Sequence, residues 1–333
     1  YDVNQRVIYR RNPDYWGKDL PINLGQNNFD RIRIEYFGDA TAALEGLKAG
    51  AYTFRNENSS KNWATAYDFP AVQKGWLVKQ ELKHGNIATG QSFVMNLRRE
   101  KFQDPRVREA IGLMFNFEWS NESLFYGLYR RINSFWENSD LAATGLPSAE
   151  ELVLLEPLKG KLPAGVLDQE PAMAPMSGDR QLDRKNLRKA AALLEDAGWI
   201  VGDDGMRRNA RGELLSIEFL EDDPAFDRVV NPFIENLRAL GVDAKLNRVD
   251  PAQYTKRVRP DTVNAAASFD FDIITDQFPT GYEPGAGLKQ YFGTAGLTDV
   301  FNTMGLGDPA VDALIEKVVA AQSKEEMHVA VKA

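Results

Sequence analysis

Asn96-Leu97-Arg98-Arg99-Glu100-Lys101-Phe102-Gln103-Asp104-Pro105-Arg106-Val107-Arg108-Glu109-Ala110-Ile111 is the stretch on which the reading of the fold turns. It leaves an extended run over residues 88–97 and enters a helix. Asp104 has the short acceptor side chain that suits an N-cap. Pro105 suits the first helical position, where an N–H would have had no partner. Val107, Ala110, Ile111 and Met114 then recur at helical spacing on one face. Well upstream stands Val7-Ile8-Tyr9-Arg10-Arg11-Asn12-Pro13-Asp14-Tyr15-Trp16-Gly17, a strand running into a turn, with Tyr15 and Trp16 expected to pin that turn to a core. Neither segment holds a catalytic constellation.

Working outward, Asp30 to Phe37 alternates Ile32, Ile34 and Tyr36 with charged residues, as a half-buried strand does. Asp39 caps a helix with Leu44 and Leu47 inward and Gly50 at its end. A helix is expected over 61–74, a strand over 76–82 and a helix over 119–127. Phe115, Phe117, Trp119, Phe125, Tyr126 and Tyr129 read as helix-core aromatics. Residues 133–181 read as irregular, and loops that long are usually functional. Asp183 caps a helix that carries Leu187, Ala190, Ala191 and Leu194 and stops at Gly198. Further elements are a strand over 214–220, a helix over 225–240, a strand over 243–249 and a short helix from Pro251. A buried strand over 271–274 and a helix from Asp308-Pro309 complete the reading. Alternating strands and helices indicate a mixed α/β architecture.

The chain has 333 residues, 43% apolar and 26% charged, with a formal charge of −8. That composition supports a packed core and is not that of a disordered chain. No basic stripe is present, so a nucleic-acid partner is not expected. Without cysteine there are no thiolate metal sites, disulfides or cysteine nucleophiles. No apolar run approaches the roughly 20 residues that span a bilayer. His84 and His328 lack metal-ligand spacing, and no nucleotide-binding or nucleophile-elbow motif occurs. No metal and no cofactor are therefore expected.

Three places have the chemistry to touch a ligand. Phe135 and Trp136 open a polar loop, Glu137-Asn138-Ser139, and an aromatic pair there can wall a pocket. Thr275 to Gly285 follows a buried strand, where α/β proteins favour ligands, and offers Asp276, Tyr282 and Glu283. Arg228 stands in the first turns of its helix and is able to clamp a carboxylate in bidentate fashion. The bland alternatives are core aromatics, an ordinary Pro/Gly loop and a surface ion pair. The pairs Asp203-Asp204 and Asp222-Asp223 read as solvated turns.

Taken in order, the two opening segments, Leu193-Leu194-Glu195-Asp196-Ala197-Gly198-Trp199, Leu240-Gly241-Val242 and Asp308 to Ile315 resemble the extracytoplasmic solute-binding proteins of family 5. Ser134 to Ser139 and Arg248 to Tyr254 look closest to its YejA-like branch, associated with oligopeptides and peptide–nucleotide antibiotics. The resemblance implies a two-lobed periplasmic-binding-protein-like fold of type II, cluster C. Residues 1–88 would be part of lobe I and 89–333 lobe II, with a hinge crossing near 88–92. The N-terminal part of lobe I and a C-terminal return segment would be missing, which makes the chain a piece of a longer protein. Dipeptide and oligopeptide binders carry an Asp for the peptide amine where Thr280 stands here, and a cleft Trp falls at Gln277. Asp276 and Glu283 are nearby replacements.

The expectation is therefore a periplasmic receptor of an ABC importer. It would bind peptides or peptide-like conjugates as a monomer and hand them to membrane permease subunits. Alternatives are an opine, sugar or chelated-metal binder on the same fold, or a carboxylate-dependent hydrolase.

Overall fold

The computed structural model describes residues 5–260 and 269–333. The chain divides into two compact units, Tyr1–Glu81 and Leu82–Ala333.

In the smaller unit β1 (Arg6–Arg10) pairs antiparallel with β2 (Arg31–Glu35). Arg6 lies opposite Glu35 and donates Nε to its Oε1 at 2.8 Å. A two-stranded ribbon buries little, so Ile32 and Ile34 stay 43% and 38% exposed rather than half-buried by a sheet face. Trp16 is likewise exposed. It leans on Tyr15 at 5.7 Å and pins nothing to a core. Asp39 caps α1 (Ala40–Lys48) through the Ala42 N–H; Leu44 and Leu47 are buried, and Gly50 leaves the helix at φ 74°.

The helix expected over 61–74 is two: α2 (Ser60–Thr65) and α3 (Pro70–Gln73). Pro70 has no N–H to continue the first ladder and instead opens the second. Residues 76–82 form no strand. Trp76, Val78 and Leu82 are exposed, and no ladder partner stands beside them among the described residues.

The larger unit is built on a four-stranded sheet in the order β3 (Ser92–Met95), β8 (Ile273–Asp276), β6 (Ser216–Glu221), β7 (Asp243–Arg248). β6 runs parallel to both neighbours, and β3 closes the edge antiparallel to β8. A small ribbon of β4 (Ile200–Val201) and β5 (Arg207–Arg208) stands apart. The side chains alternate across the sheet. Ile217, Phe219 and Ile273 enter a core with α4 (Pro105–Leu113), α7 (Arg184–Asp196) and α8 (Asp227–Ala239). Leu220, Val94 and Ile274 enter a second core with α9 (Pro251–Val258), α10 (Leu288–Tyr291), α11 (Pro309–Ala320) and α12 (Lys324–Lys332). The result is a three-layer α/β arrangement.

At the centre of the first core Phe93, Phe115, Phe219 and Phe233 meet with ring centroids 5.2 to 6.0 Å apart. Tyr126 and Tyr129 follow α5 (Phe117–Ser123) and are 46% and 41% exposed, so the aromatic run is core only in part. Residues 133–181 are not wholly irregular. Ser148 and Glu151 form a capping box for α6 (Ala149–Leu155).

Candidate ligand-binding site

β8 ends at Asp276, and the chain then runs through an irregular loop to α10. Backbone and side-chain hydrogen bonds tie this loop to residues 85–90 and to the 133–140 loop. The Phe278 N–H donates to the Thr89 carbonyl at 2.8 Å, and the Ala88 N–H to the Glu137 carbonyl at 3.1 Å. Asn138 Nδ2 donates to the Asn86 carbonyl at 2.9 Å. Thr280 Oγ1 donates to the Phe135 carbonyl at 2.5 Å, Trp136 Nε1 to the Gly281 carbonyl at 3.2 Å, and the Tyr282 hydroxyl to the Gly85 carbonyl.

The Phe135 ring leans on Phe278 and Phe292, 5.6 and 4.9 Å away. Gly90 stands against this pair in a backbone conformation that favours glycine. It sits at φ 63°, and a Cβ there would lie 3.4 Å from the Phe278 carbonyl oxygen and 3.6 Å from the Phe135 ring. The structure thus brings Phe135, Trp136, Thr280 and Tyr282 into one assembly. Phe135 and Tyr282 keep 38% and 48% of their surface exposed.

Asp276 is held from the other side. Its Oδ2 accepts from Thr303 Oγ1 at 2.7 Å and its Oδ1 from the Gln277 N–H at 2.8 Å. Thr303 is fixed in turn by Arg98, whose guanidinium donates to the carbonyls of Thr303, Leu297 and Asn302 at 3.1, 2.8 and 2.9 Å and lies 3.7 Å from the Phe269 ring centre. Burial pulls the Arg98 pKa down to about 10.

At the end of the central strand Glu221 is 2% exposed and accepts from Thr275 Oγ1 at 2.5 Å; burial pushes its carboxyl up from the ordinary range. Burial likewise raises the Tyr254 phenol, with the carboxylates of Glu221, Asp276 and Asp222 adding to the effect.

Arg228 stands apart from this assembly. In the first turn of α8, it donates Nη1 to the Leu124 carbonyl at 2.5 Å and lies 5.8 Å from the Phe125 ring centre, so it closes the C-terminus of α5.

Glu283 is exposed and lines a cavity of about 600 Å³ with Asp140, Tyr282, Val318, Lys324 and His328. His328 Nδ1 lies 3.7 Å from Asp140 Oδ2. Sequence reasoning missed Asp140, Lys324 and His328 as companions of Glu283. Residues 140 and 328 meet only through the fold, and no local pattern announces it. Among the described residues no group of three or more His, Asp or Glu is placed to hold a metal ion.

Comparison with known proteins adds the following. Residues 1–298 match the family model for bacterial extracellular solute-binding proteins, family 5, middle region. A probable peptide-binding protein YejA from Agrobacterium fabrum is 39% identical over 331 residues, which cover 98% of this chain and 52% of that protein. The chain thus spans about half the length of the curated relatives it matches. Among solved structures, NikZ from Campylobacter jejuni in complex with Ni(L-His) superposes with a TM-score of 0.71 at 16% identity. The oligopeptide-binding protein AppA from Bacillus subtilis, in complex with a nonapeptide, superposes at 0.65 and 17% identity. Both matches cover 100% of this chain and 56% of the other. The α/β fold is that of these binding proteins.

Proposed function

Since the chain belongs to the bacterial extracellular solute-binding proteins of family 5, we propose that it forms part of a periplasmic receptor for peptides or peptide-like solutes, which passes them to the permease subunits of an ABC importer. On this reading residues 1–88 belong to lobe I and 89–333 to lobe II, with the crossing near 88–92. The work is capture and release as a monomer, with no bond made or broken. Among the described residues no helix is long and apolar enough to cross a membrane.

One observation carries the reading within the chain. The aromatic pair Phe135 and Trp136 is stapled to the loop that follows β8, at the carboxyl end of a parallel strand. That is where open α/β sheets hold ligands. The staples fix loop backbone that would otherwise have to be ordered on binding, so a solute meets a preorganised wall. Phe135, Trp136, Tyr282 and Glu283 would face the solute, Asp276 and Thr280 would shape the loop, and Arg228 would meet a ligand carboxylate only by leaving the Leu124 carbonyl.

Native mass spectrometry of the protein as purified tests this. We expect a mass excess that is lost on denaturation and fragments as a peptide. A retained solute that fragments as a sugar or an opine would overturn the peptide assignment. Product release from a peptide panel would overturn the receptor reading itself.

A further inference from the structure

The carboxyl edge of the larger sheet sets three side chains in a row. In the parallel registers Phe219 lies opposite Ile273 and Glu221 opposite Arg248. Thr275, Glu221 and Arg248 therefore stand side by side, on the face that carries Ile217 and Phe219. Adjacent strands lie about 4.8 Å apart, which brings each of these side chains within reach of the next. Thr275 Oγ1 donates to Glu221 Oε1 at 2.5 Å. Arg248 turns the other way, and its Nη2 pairs with Asp227 in the first turn of α8.

Two anomalies meet in this row. Arg248 Nη1 is the one buried side-chain nitrogen or oxygen without a hydrogen-bond partner among the described residues. A buried donor left unpaired is costly. Its register neighbour Glu221 is 2% exposed and has no ion pair among the described residues. Glu57 in the smaller unit gives the contrast. It is as deeply buried, but it pairs with Arg55 at 3.0 Å and accepts from Tyr67 at 2.7 Å. There burial is outweighed, and those bonds hold the carboxyl below the ordinary range. At Glu221 burial wins and the carboxyl rises, with Thr275 and Arg248 pulling it back and Asp222 adding to the rise. The phenol of Tyr254 on α9 and, beyond it, Asp276 complete the groups that face this edge.

We propose that Glu221 and Arg248 form a proton-controlled latch at the carboxyl edge of the sheet. With Glu221 protonated, the row stands as it does in the structure: Arg248 holds Asp227, and Nη1 is idle. When Glu221 releases its proton to solvent, Nη1 donates to the new carboxylate. The guanidinium then bridges Glu221 and Asp227, one nitrogen to each. A planar fork suits two acceptors set side by side, which a lysine ammonium does not reproduce. The bridge recovers part of what burying the second charge costs. Neutral pH thus fastens the end of the central strand to the first turn of α8, and acid pH unfastens it. Glu221 is bonded to Thr275, the residue before Asp276, where the loop of the candidate site begins. The latch goes beyond the receptor reading and does not depend on the solute being a peptide.

NMR of the carboxyl carbons and of the arginine side-chain nitrogens, followed from pH 4 to pH 8 on the whole chain, tests this. The Arg248 resonances, assigned by their loss in Arg248→Lys, are expected to move along one curve that shares its midpoint with the Glu221 carboxyl. In Glu221→Gln that movement disappears, and the resonances stay at their acid-side position. In Arg248→Met the Glu221 midpoint rises by about one pH unit, the size of one charge-assisted bond. In Asp227→Asn it falls, because Arg248 is then free for Glu221. The shared midpoint is read in the wild type, so a variant that fails to fold leaves the test intact. Arg248 resonances that stay still between pH 4 and pH 8, or that still move in Glu221→Gln, overturn the proposal. A crystal structure at pH 8 is expected to show Nη1 bonded to Glu221, and Nη1 still idle there overturns it as well.

Discussion

Replacing Asn96 with Ala puts the link between β3 and β8 to a quantitative test. Asn96 is fully buried. Its Nδ2 donates to the Phe269 and Phe271 carbonyls at 2.8 and 3.0 Å, and its Oδ1 accepts from the Arg98 N–H at 3.1 Å. The Phe271 carbonyl keeps a second donor, Arg99 Nε at 3.0 Å, so it suffers least. Phe269 loses the donor to its carbonyl in a dry setting, and the Arg98 N–H loses its acceptor. With about 1–3 kcal/mol for each buried group left unsatisfied, the variant should lose about 3–5 kcal/mol. Urea denaturation followed by circular dichroism reads this as a lower midpoint at constant slope. Hydrogen exchange at Val94, Ile273 and Ile274 locates the loss in the sheet. Asn28→Ala is the control, since that exposed side chain donates only to the Gly25 carbonyl at 2.9 Å; its effect should stay within about 0.5 kcal/mol. A loss below about 1 kcal/mol for Asn96→Ala would show that the three bonds do not act as described.

Three further outcomes are expected. Gly90→Ala should destabilise the larger unit by about 1–2 kcal/mol in the same denaturation assay, because an L-residue at φ 63° is strained. Phe233→Ala should cost about 3–5 kcal/mol, since the cavity opens among Phe93, Phe115 and Phe219; calorimetry would show it as a lower melting temperature. Glu221→Gln should gain on wild type as the pH rises. Burial holds the folded carboxyl above its unfolded value of 4.5, so its contribution is complete below that value and fades as pH climbs through the folded one; denaturation from pH 4 to pH 8 should show the difference shifting toward Gln.

What could be read from residues alone was what a few neighbours decide. Asp39, Asp104, Asp183 and Asp308 each accept from the N–H groups of their own helix, and Pro105 and Pro309 take their helical places, because capping is complete within four residues. The capping box of Ser148 and Glu151 was equally local, but the prolines around it, Pro147 and Pro157, drew the reading toward a loop. The apolar residues of 76–82 misled for the opposite reason. A strand needs a partner, and alternation in one segment says nothing about whether one is present. The loops around Phe135 and Tyr282 were visible as aromatic, polar and proline-rich. Which of their groups would be spent on stapling them together was not, since the Thr280–Phe135 and Trp136–Gly281 bonds each join residues 145 apart. Sequence separation likewise hid the cavity that Glu283 shares with Asp140 and His328.

The order of the larger sheet has a consequence for how the chain comes to be folded. Ser92 in β3 finds its partner in Asp276, near the other end of the unit, while β6 and β7 pair across a single intervening helix. On emerging from the ribosome, β3 must wait through all of α4 to α9 before β8 arrives to cover it. Until then the flank of β6 that β8 will occupy is an open edge, with Phe219 and Leu220 beside it, available to any other chain in the same state. Slow, late closure of the sheet is built into this topology. A chain cut short anywhere before Ile273 would expose that edge permanently, and its expected fate is aggregation rather than a smaller folded unit.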